Sequence, residues 1–167
     1  MTELLSLDAT DQIKALTAKH ISARELLEAS IARTEALDAQ LNAVVAKDLD
    51  RARKEAQSID ERRARSENLG PLAGLPMTVK DHFDIEGFPA SFGGDASLLN
   101  RKGKDAAVIK KVRGAGAVIW RTTNLALYGG DVQTYNALYG TTNNPWDVAR
   151  TPGGLSSRWT IVCPGFR

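Results

Sequence analysis

The stretch GLPMTVKD at residues 74–81 decides how the rest of the chain is interpreted. A short run of mainly apolar residues follows a proline and ends at a lysine, which is typical of a short strand that runs into a loop. Because side chains alternate along a strand, Thr78 and Lys80 are expected on one face and Val79 on the other. By residue type alone Lys80 would be a surface cation at a strand end, since lysines are almost never buried unpaired.

Downstream of this strand the sequence predicts a helix, a glycine turn and a second strand. Asp105 is expected to begin a helix that passes Lys110 and ends near Gly114, which would be its C′ glycine. The run AVIW at residues 117–120 predicts a buried strand. This order indicates an α/β unit. Residues 122–154 are rich in Gly, Asn, Thr and Tyr and predict a long loop region, which is typical of a functional segment.

Upstream of the strand the sequence is mainly helical. Asp8 is expected to cap one helix, and Ser22 with Glu25 forms a capping box for the next. Residues 43–46 (AVVA) predict a strand, and residues 48–65 are charged and alanine-rich, which predicts an exposed helix with little apolar face. The predicted fold class is therefore α/β, with N-terminal helices followed by part of a mixed α/β sheet layer.

Composition narrows the class of protein. The chain has 167 residues, of which 43% are hydrophobic and 25% are charged, as in ordinary globular proteins. Its 22 basic and 20 acidic residues give a net charge of +2, which provides no reason to expect nucleic acid or an anionic membrane as a partner. The N-terminus has no secretory signal pattern, and the single cysteine, Cys163, fits a reducing compartment, so we predict a cytoplasmic protein.

Three motifs occur in a fixed order. The lysine strand comes first, Thr123-Asn124 and the run NALYGTTNNPWD at residues 136–147 follow, and RTPGG at residues 150–154 comes last. With these motifs the sequence resembles the amidase signature family of serine hydrolases, which includes bacterial amidases and the amidotransferase A subunits that handle glutaminyl- and asparaginyl-tRNA. The resemblance covers residues 1–154 and is specific from Pro71 onward.

The resemblance implies a catalytic triad of two serines and one lysine, in which Lys80 is the base. A relay serine with a cis peptide bond would follow the Pro-Gly-Gly stretch, and the nucleophile would come later in an Asp-x-Gly-Gly-Ser turn whose amides form the oxyanion hole. A serine hydroxyl is a weak nucleophile and needs such a base. A lysine accepts a proton only in its neutral form, which burial favours, and backbone amides stabilise the oxyanion.

The resemblance stops abruptly after Gly154. Leu155 occupies the position of the relay serine, and Ser156 is the candidate relay serine, displaced by one residue. Arg158 and the residues after it replace the expected small residues, and the nucleophile turn would lie beyond Arg167. We interpret residues 155–167 as a divergent tail, and a shift of reading frame is our hypothesis for it.

The sequence therefore predicts the N-terminal portion of an amidase signature domain at residues 1–154, with a helical segment at 1–69 and an α/β segment at 70–154. The predicted function is hydrolysis of non-peptide carbon–nitrogen bonds in small amides, and the 167-residue chain alone is expected to be inactive. Two alternatives stay open. The chain could be a non-catalytic fragment or partner-binding module, with an exposed sheet edge through which it could self-associate, or the front part of an aminoacyl-tRNA amidotransferase A subunit.

No metal or cofactor is predicted. Asp81, His82 and Asp84 offer two carboxylates and one imidazole close together, but the sequence has no second cluster of ligands near them. The glycine pairs at 129–130 and 153–154 lack the spacing of a phosphate-binding loop.

Overall fold

The computed structural model describes residues 2–95, 97 and 103–153. Ser156 and the rest of the divergent tail lie outside these residues. None of the helices in the described part combines the length and the apolar character needed to cross a membrane. The described elements are, in chain order, α1 Thr2–Leu5, α2 Ala9–Thr17, α3 Ala23–Leu41, β1 Val44–Lys47, α4 Leu49–Ala64, β2 Pro76–Lys80, α5 Ala107–Gly114, β3 Val118–Thr123, a 3-10 turn at Leu127–Gly129, β4 Tyr135–Asn136 and β5 Gly140–Thr141.

Helices α2 and α3 begin where local sequence rules place them. The Asp8 side chain accepts a hydrogen bond from the Asp11 amide at 2.9 Å. Ser22 and Glu25 form both bonds of a capping box, since the Glu25 amide donates to Ser22 Oγ at 3.1 Å and the Ser22 amide donates to Glu25 Oε2 at 2.9 Å. Both predicted caps are confirmed.

Helix α4 differs from the expectation of an exposed helix. Ala52 and Ala56 are fully buried and Ile59 is 9% exposed, and all three belong to the core cluster beneath the helix. Alanine contributes little apolar area, but its small side chain allows the backbones of neighbouring elements to approach closely. The helix is therefore charged on one side and packed on the other, with α3 and β3 as its main neighbours.

Helix α5 ends at Gly114, where the sequence predicts its end, but its two predicted end residues have other roles. Its N-cap is Ala106, which makes no side-chain cap bond, and Asp105 instead accepts a hydrogen bond from the Glu86 amide at 2.7 Å and lies 3.2 Å from Arg113 Nε. At the other end Gly114 is the last helical residue. Gly116 has the left-handed backbone (φ +94°) that a C′ residue needs.

The main sheet has three strands in the order β1-β3-β2. Strand β3 is central, antiparallel to β1 and parallel to β2, and all of its residues are buried. The parallel pair is joined through α5, which forms the predicted strand–helix–strand unit. The mixed sheet confirms the predicted α/β class, and β4 with β5 adds a short hairpin in the loop region.

Two apolar layers cover the sheet. Val118 and Trp120 pack with α2, α3 and α4, whereas Ile119 packs with β2, α5 and the segment after β2. This division follows from the alternation of side chains along β3. Val79 belongs to the second layer, so Thr78 and Lys80 project from the other face of β2, as the sequence predicts.

Candidate active site at the carboxyl end of β2

Lys80 is the last residue of β2 and pairs in register with Thr123, the last residue of β3. The carboxyl ends of the two parallel strands therefore meet at the same edge of the sheet. Lys80 is half-buried and lines a cavity of about 590 Å³, together with Thr78 and Thr123. The sequence prediction placed a lysine at a strand end, and the structure adds an adjoining space that a small molecule could occupy.

Asp81 follows Lys80 and is fully buried. Its Oδ2 accepts hydrogen bonds from the Ser91 amide at 3.2 Å and from the Ser91 hydroxyl, and its Oδ1 has no partner among the described residues. Burial raises the pKa of Asp81 to about 6, and the hydrogen bonds from Ser91 oppose that rise. The sequence marked this carboxyl as a neighbour of the lysine and as a weighed metal ligand, but it did not predict its burial.

The backbone of Asp81 also holds the segment that follows Ser91. The Phe92 amide donates to the Asp81 carbonyl at 3.2 Å, and the Phe92 carbonyl accepts from the Tyr128 amide at 2.8 Å. The Ser91 hydroxyl accepts from the Gly93 amide at 3.2 Å. Because its hydroxyl is committed to Asp81 and Gly93, Ser91 supports the loop and is a poor candidate for a nucleophile.

His82 forms an aromatic wall beside the lysine. Its backbone amide donates to the Lys80 carbonyl at 2.8 Å, and its ring centroid lies 4.0 Å from that of Phe83 and 6.1 Å from that of Phe92. Burial and the charge of Lys80 lower the pKa of His82. Both causes favour the uncharged imidazole, which lines the same cavity as Lys80.

Asparagines of the second motif connect the loop region to the end of β3. Asn124 is fully buried directly after β3, and its Oδ1 accepts from Asn136 Nδ2 at 2.7 Å. Asn136 Nδ2 also donates to the Leu125 carbonyl at 2.9 Å, and Asn124 Nδ2 donates to Thr142 Oγ1 at 3.1 Å. These residues belong to the motif that carries the family resemblance, and the structure shows that they fix the loop against the sheet.

The candidate relay serine, Ser156, lies outside the residues that the structure describes. Within residues 2–95, 97 and 103–153 no group of three His, Cys, Asp or Glu side chains is arranged to hold a metal ion.

Comparison with protein families identifies relatives over most of the chain. The model of the Amidase family matches residues 25–157. The A subunit of glutamyl-tRNA(Gln) amidotransferase from Streptomyces coelicolor is 36% identical over 167 residues, which is 100% of this chain and 34% of the relative. An acylamidase from Rhodococcus erythropolis is 35% identical over 153 residues, which is 90% of this chain and 31% of the relative.

Solved structures agree with the sequence relatives. A bacterial aryl acylamidase of the amidase signature family superposes with a TM-score of 0.86 at 33% identity, over 91% of this chain and 32% of the other. The peptide amidase of Stenotrophomonas maltophilia gives a TM-score of 0.82 at 31% identity, over 90% of this chain and 32% of the other. The chain thus spans about a third of the length of the relatives it matches, and its α/β fold is incomplete relative to theirs. The family match covers far more than half of the sequence and the folds agree, so the chain belongs to the amidase family.

Proposed function

We propose that this chain is the front part of an amide hydrolase in which Lys80 is the base. The observation that carries the proposal is the position of Lys80 at the carboxyl end of β2, in the wall of the cavity and within the family match. The contacts of Asp81 and His82 support it, because they fix the backbone on the C-terminal side of the lysine. Amide hydrolysis is also the activity named for the acylamidase relative.

The proposed chemistry follows the triad that the resemblance implies. Neutral Lys80 takes the proton of the nucleophilic serine through a relay serine, and the serine oxygen attacks the amide carbon. The proton then passes to the departing amine, which leaves an acyl-enzyme that water hydrolyses. Ser156 is the candidate relay serine in this proposal, and no Asp-x-Gly-Gly-Ser turn occurs within the 167 residues. The isolated chain is therefore expected to be inactive, as the sequence predicts.

Activity can be tested in a protein that supplies the remaining residues. Residues 1–153 would replace the corresponding segment of the Rhodococcus acylamidase, and the fusion would be assayed on acetamide and benzamide. We expect Lys80→Ala to lower kcat by about 1,000-fold or more with a small change in KM, because loss of one triad member removes most of the rate. Lys110→Ala, a change at an exposed lysine of α5, is the matched control and should leave kcat unchanged.

Two results would contradict the proposal. An active fusion that keeps its kcat in the Lys80→Ala variant would remove Lys80 from the chemistry. Turnover by the 167-residue chain itself, lost on Lys80→Ala, would instead show that these residues contain a working nucleophile and that the expected inactivity is wrong.

A second candidate is the front part of an amidotransferase A subunit that acts in aminoacyl-tRNA synthesis. It is favoured by the identity of 36% over the whole chain to the Streptomyces coelicolor A subunit. The same fusion approach, with the remainder taken from that A subunit, tests this candidate: activity in this fusion and not in the acylamidase fusion would favour it. A simple amidase hydrolyses acetamide or benzamide alone, whereas an amidotransferase subunit is expected to need glutamine and its partner chains. The predicted cytoplasmic location suits both candidates and stays a prediction.

A further inference from the structure

Strand β2 has one edge that no strand covers in the part of the chain that the structure describes. The sheet order β1-β3-β2 gives β2 a neighbour on the β3 side alone. The cavity of about 590 Å³ is bordered by all five residues of β2 but by Thr123 as the sole residue of β3. The cavity therefore runs along the uncovered edge, where backbone donors and acceptors are available to another strand.

The backbone hydrogen bonds between the two parallel strands show which groups of β2 face that edge. The Leu75 carbonyl accepts from the Val118 amide at 2.9 Å, and the Asp81 amide donates to the Thr123 carbonyl at 3.1 Å, so odd-numbered residues of β2 face β3. The register between β2 and β3 shifts once, because Met77 pairs with Ile119 but Thr78 pairs with Arg121. The extra residue lies in β3, so the alternation along β2 is preserved. Even-numbered residues therefore face the uncovered edge.

This leaves a short and unusual pattern of hydrogen-bonding groups. Pro76 offers a carbonyl and no N–H, and Thr78 offers both groups. Lys80 offers its N–H, because its carbonyl already accepts from the His82 and Phe83 amides at 2.8 and 3.2 Å. The edge thus presents an acceptor at one end, a donor and an acceptor in the middle, and a donor at the other end.

The pattern is complementary to itself in the antiparallel direction. With Thr78 opposite Thr78 of a second copy, the two threonines exchange a reciprocal pair of hydrogen bonds. The Lys80 N–H of each copy then meets the Pro76 carbonyl of the other. The missing N–H of Pro76 falls opposite the Lys80 carbonyl that is already engaged, so no buried donor or acceptor is left without a partner. A slip of one hydrogen-bonded pair in either direction places the Thr78 carbonyl opposite Pro76 or the Thr78 N–H opposite the engaged Lys80 carbonyl.

The surroundings of the edge also favour burial. Apolar side chains of α5 and of the segment before β2 line the cavity, and one of them, Val108, is 47% exposed. Covering such surface removes apolar area from water. Charge does not oppose the pairing, because β2 contains no carboxylate and the two Lys80 residues would lie four positions, about 14 Å, apart along the paired strands.

We propose that two copies of the 167-residue chain pair through β2, antiparallel and centred on Thr78, to form one continuous six-stranded sheet. The pairing is isologous, which is the usual symmetry of a homodimer. It makes specific the self-association that the sequence suggested, and it concerns the 167-residue chain by itself. The paired strand would occupy the cavity beside Lys80, so the dimer and a bound substrate are alternatives.

Cysteine cross-linking tests the register. In a Cys163→Ser background, Thr78→Cys would place two thiols across the symmetry axis at a Cα separation of about 5.5 Å, which is within disulfide range. Lys80→Cys in the same background is the matched control, because its Cα atoms would be about 14 Å apart. We expect a disulfide-linked dimer with Thr78→Cys and none with Lys80→Cys. Equal cross-linking of both variants, or none with Thr78→Cys, would overturn the proposed pairing.

Sedimentation equilibrium tests the association itself. Thr78→Pro removes an N–H that faces the uncovered edge, and the wild-type dimer is expected to become monomeric. Thr78→Val keeps the N–H and should remain dimeric. Circular dichroism checks that both variants keep the wild-type helix content.

If Thr78→Pro does not fold, amide hydrogen exchange of the wild-type chain gives the answer. The Thr78 and Lys80 amides should be protected at concentrations where the dimer forms and exposed below them. A monomer at all concentrations would overturn the proposal, whether those amides are exposed, which leaves the edge to residues outside this chain, or protected, which means that the chain covers its own edge.

Discussion

At the scale of single residues, the buried carboxyl of Asp81 makes stability depend on pH. Its pKa is about 6 in the folded chain against an ordinary value of 3.8, so the unfolded chain loses this proton first as pH rises. The contribution of Asp81 to stability is therefore largest below about pH 4 and declines between pH 4 and 6. We expect Asp81→Asn to remove up to about 3 kcal/mol of this pH-dependent change in the free energy of unfolding.

Urea unfolding at pH 4, 5, 6 and 7 measures the effect. Asp84→Asn is the control, because it removes an exposed carboxyl three positions away and leaves Asp81 in place. A wild-type profile that does not fall between pH 4 and 6 relative to Asp81→Asn would show that the buried carboxyl is ionised at little cost.

Sequence rules succeeded for residues whose partners are close along the chain. The capping box of Ser22 and Glu25 spans three residues, and it forms as predicted. Asp105 failed as a cap because its partners are distant, the Glu86 amide 19 residues before it and Arg113 on the far end of α5. The burial of Asp81 was likewise not predictable, since it depends on Ser91 and on a sheet assembled from separate segments.

At the scale of elements, the end of α5 depends on Gly116. Its φ of +94° is unfavourable for other residues, and a Cβ there would lie 2.7 Å from the Ala73 Cα. We expect Gly116→Ala to destabilise the chain by more than about 1 kcal/mol. Gly114→Ala has open space around it and should be neutral or stabilising by up to about 1 kcal/mol, because alanine favours the helix. Thermal melting of both variants checks this, and a larger loss from Gly114→Ala would reverse the assignment.

Packing beneath α4 gives a second prediction at this scale. Ala56 is fully buried, so Ala56→Leu forces extra volume between α4 and its neighbours and should cost about 1–3 kcal/mol. Ala64→Leu, at the exposed end of the same helix, should change stability by less than about 0.5 kcal/mol. Denaturant unfolding of the two variants measures the difference. Equal stability would mean that the buried face of α4, formed by Ala52, Ala56 and Ile59, is loosely packed.

The composition of this buried face explains why the sequence predicted an exposed helix. Buried helical faces are usually recognised by large apolar residues at helical spacing. In α4 the buried face consists of Ala52, Ala56 and Ile59, and two of these three side chains are too small to distinguish a packed face from an exposed one. The close contact appears when α3 and β3 are in place beside the helix.

At the scale of the whole molecule, the order of strands could not be predicted from local patterns. Residues 43–46 and 117–120 were each expected to form strands, but the pairing of β1 with β3 joins segments more than 70 residues apart, such as Val44 with Thr123. The same sheet unites the segments 1–69 and 70–154, whose boundary stays a sequence prediction. Family motifs predicted the location of the candidate site because they carry this non-local information indirectly.

The core predicts a cooperative melt, and the uncovered edge of β2 predicts that its Tm depends on protein concentration. The described residues form two apolar layers around a sheet, with Trp120 and Phe88 fully buried, so the 167-residue chain is expected to unfold in one transition. If dimerisation through β2 stabilises the folded state, the Tm must rise with protein concentration by mass action. Differential scanning calorimetry over a hundredfold range of concentration should show this rise for the wild type and for Thr78→Val. The Tm of Thr78→Pro should stay constant, because the stability of a monomer does not depend on its concentration. A broad transition without a heat-absorption peak would mean that these residues need the rest of an amidase to fold.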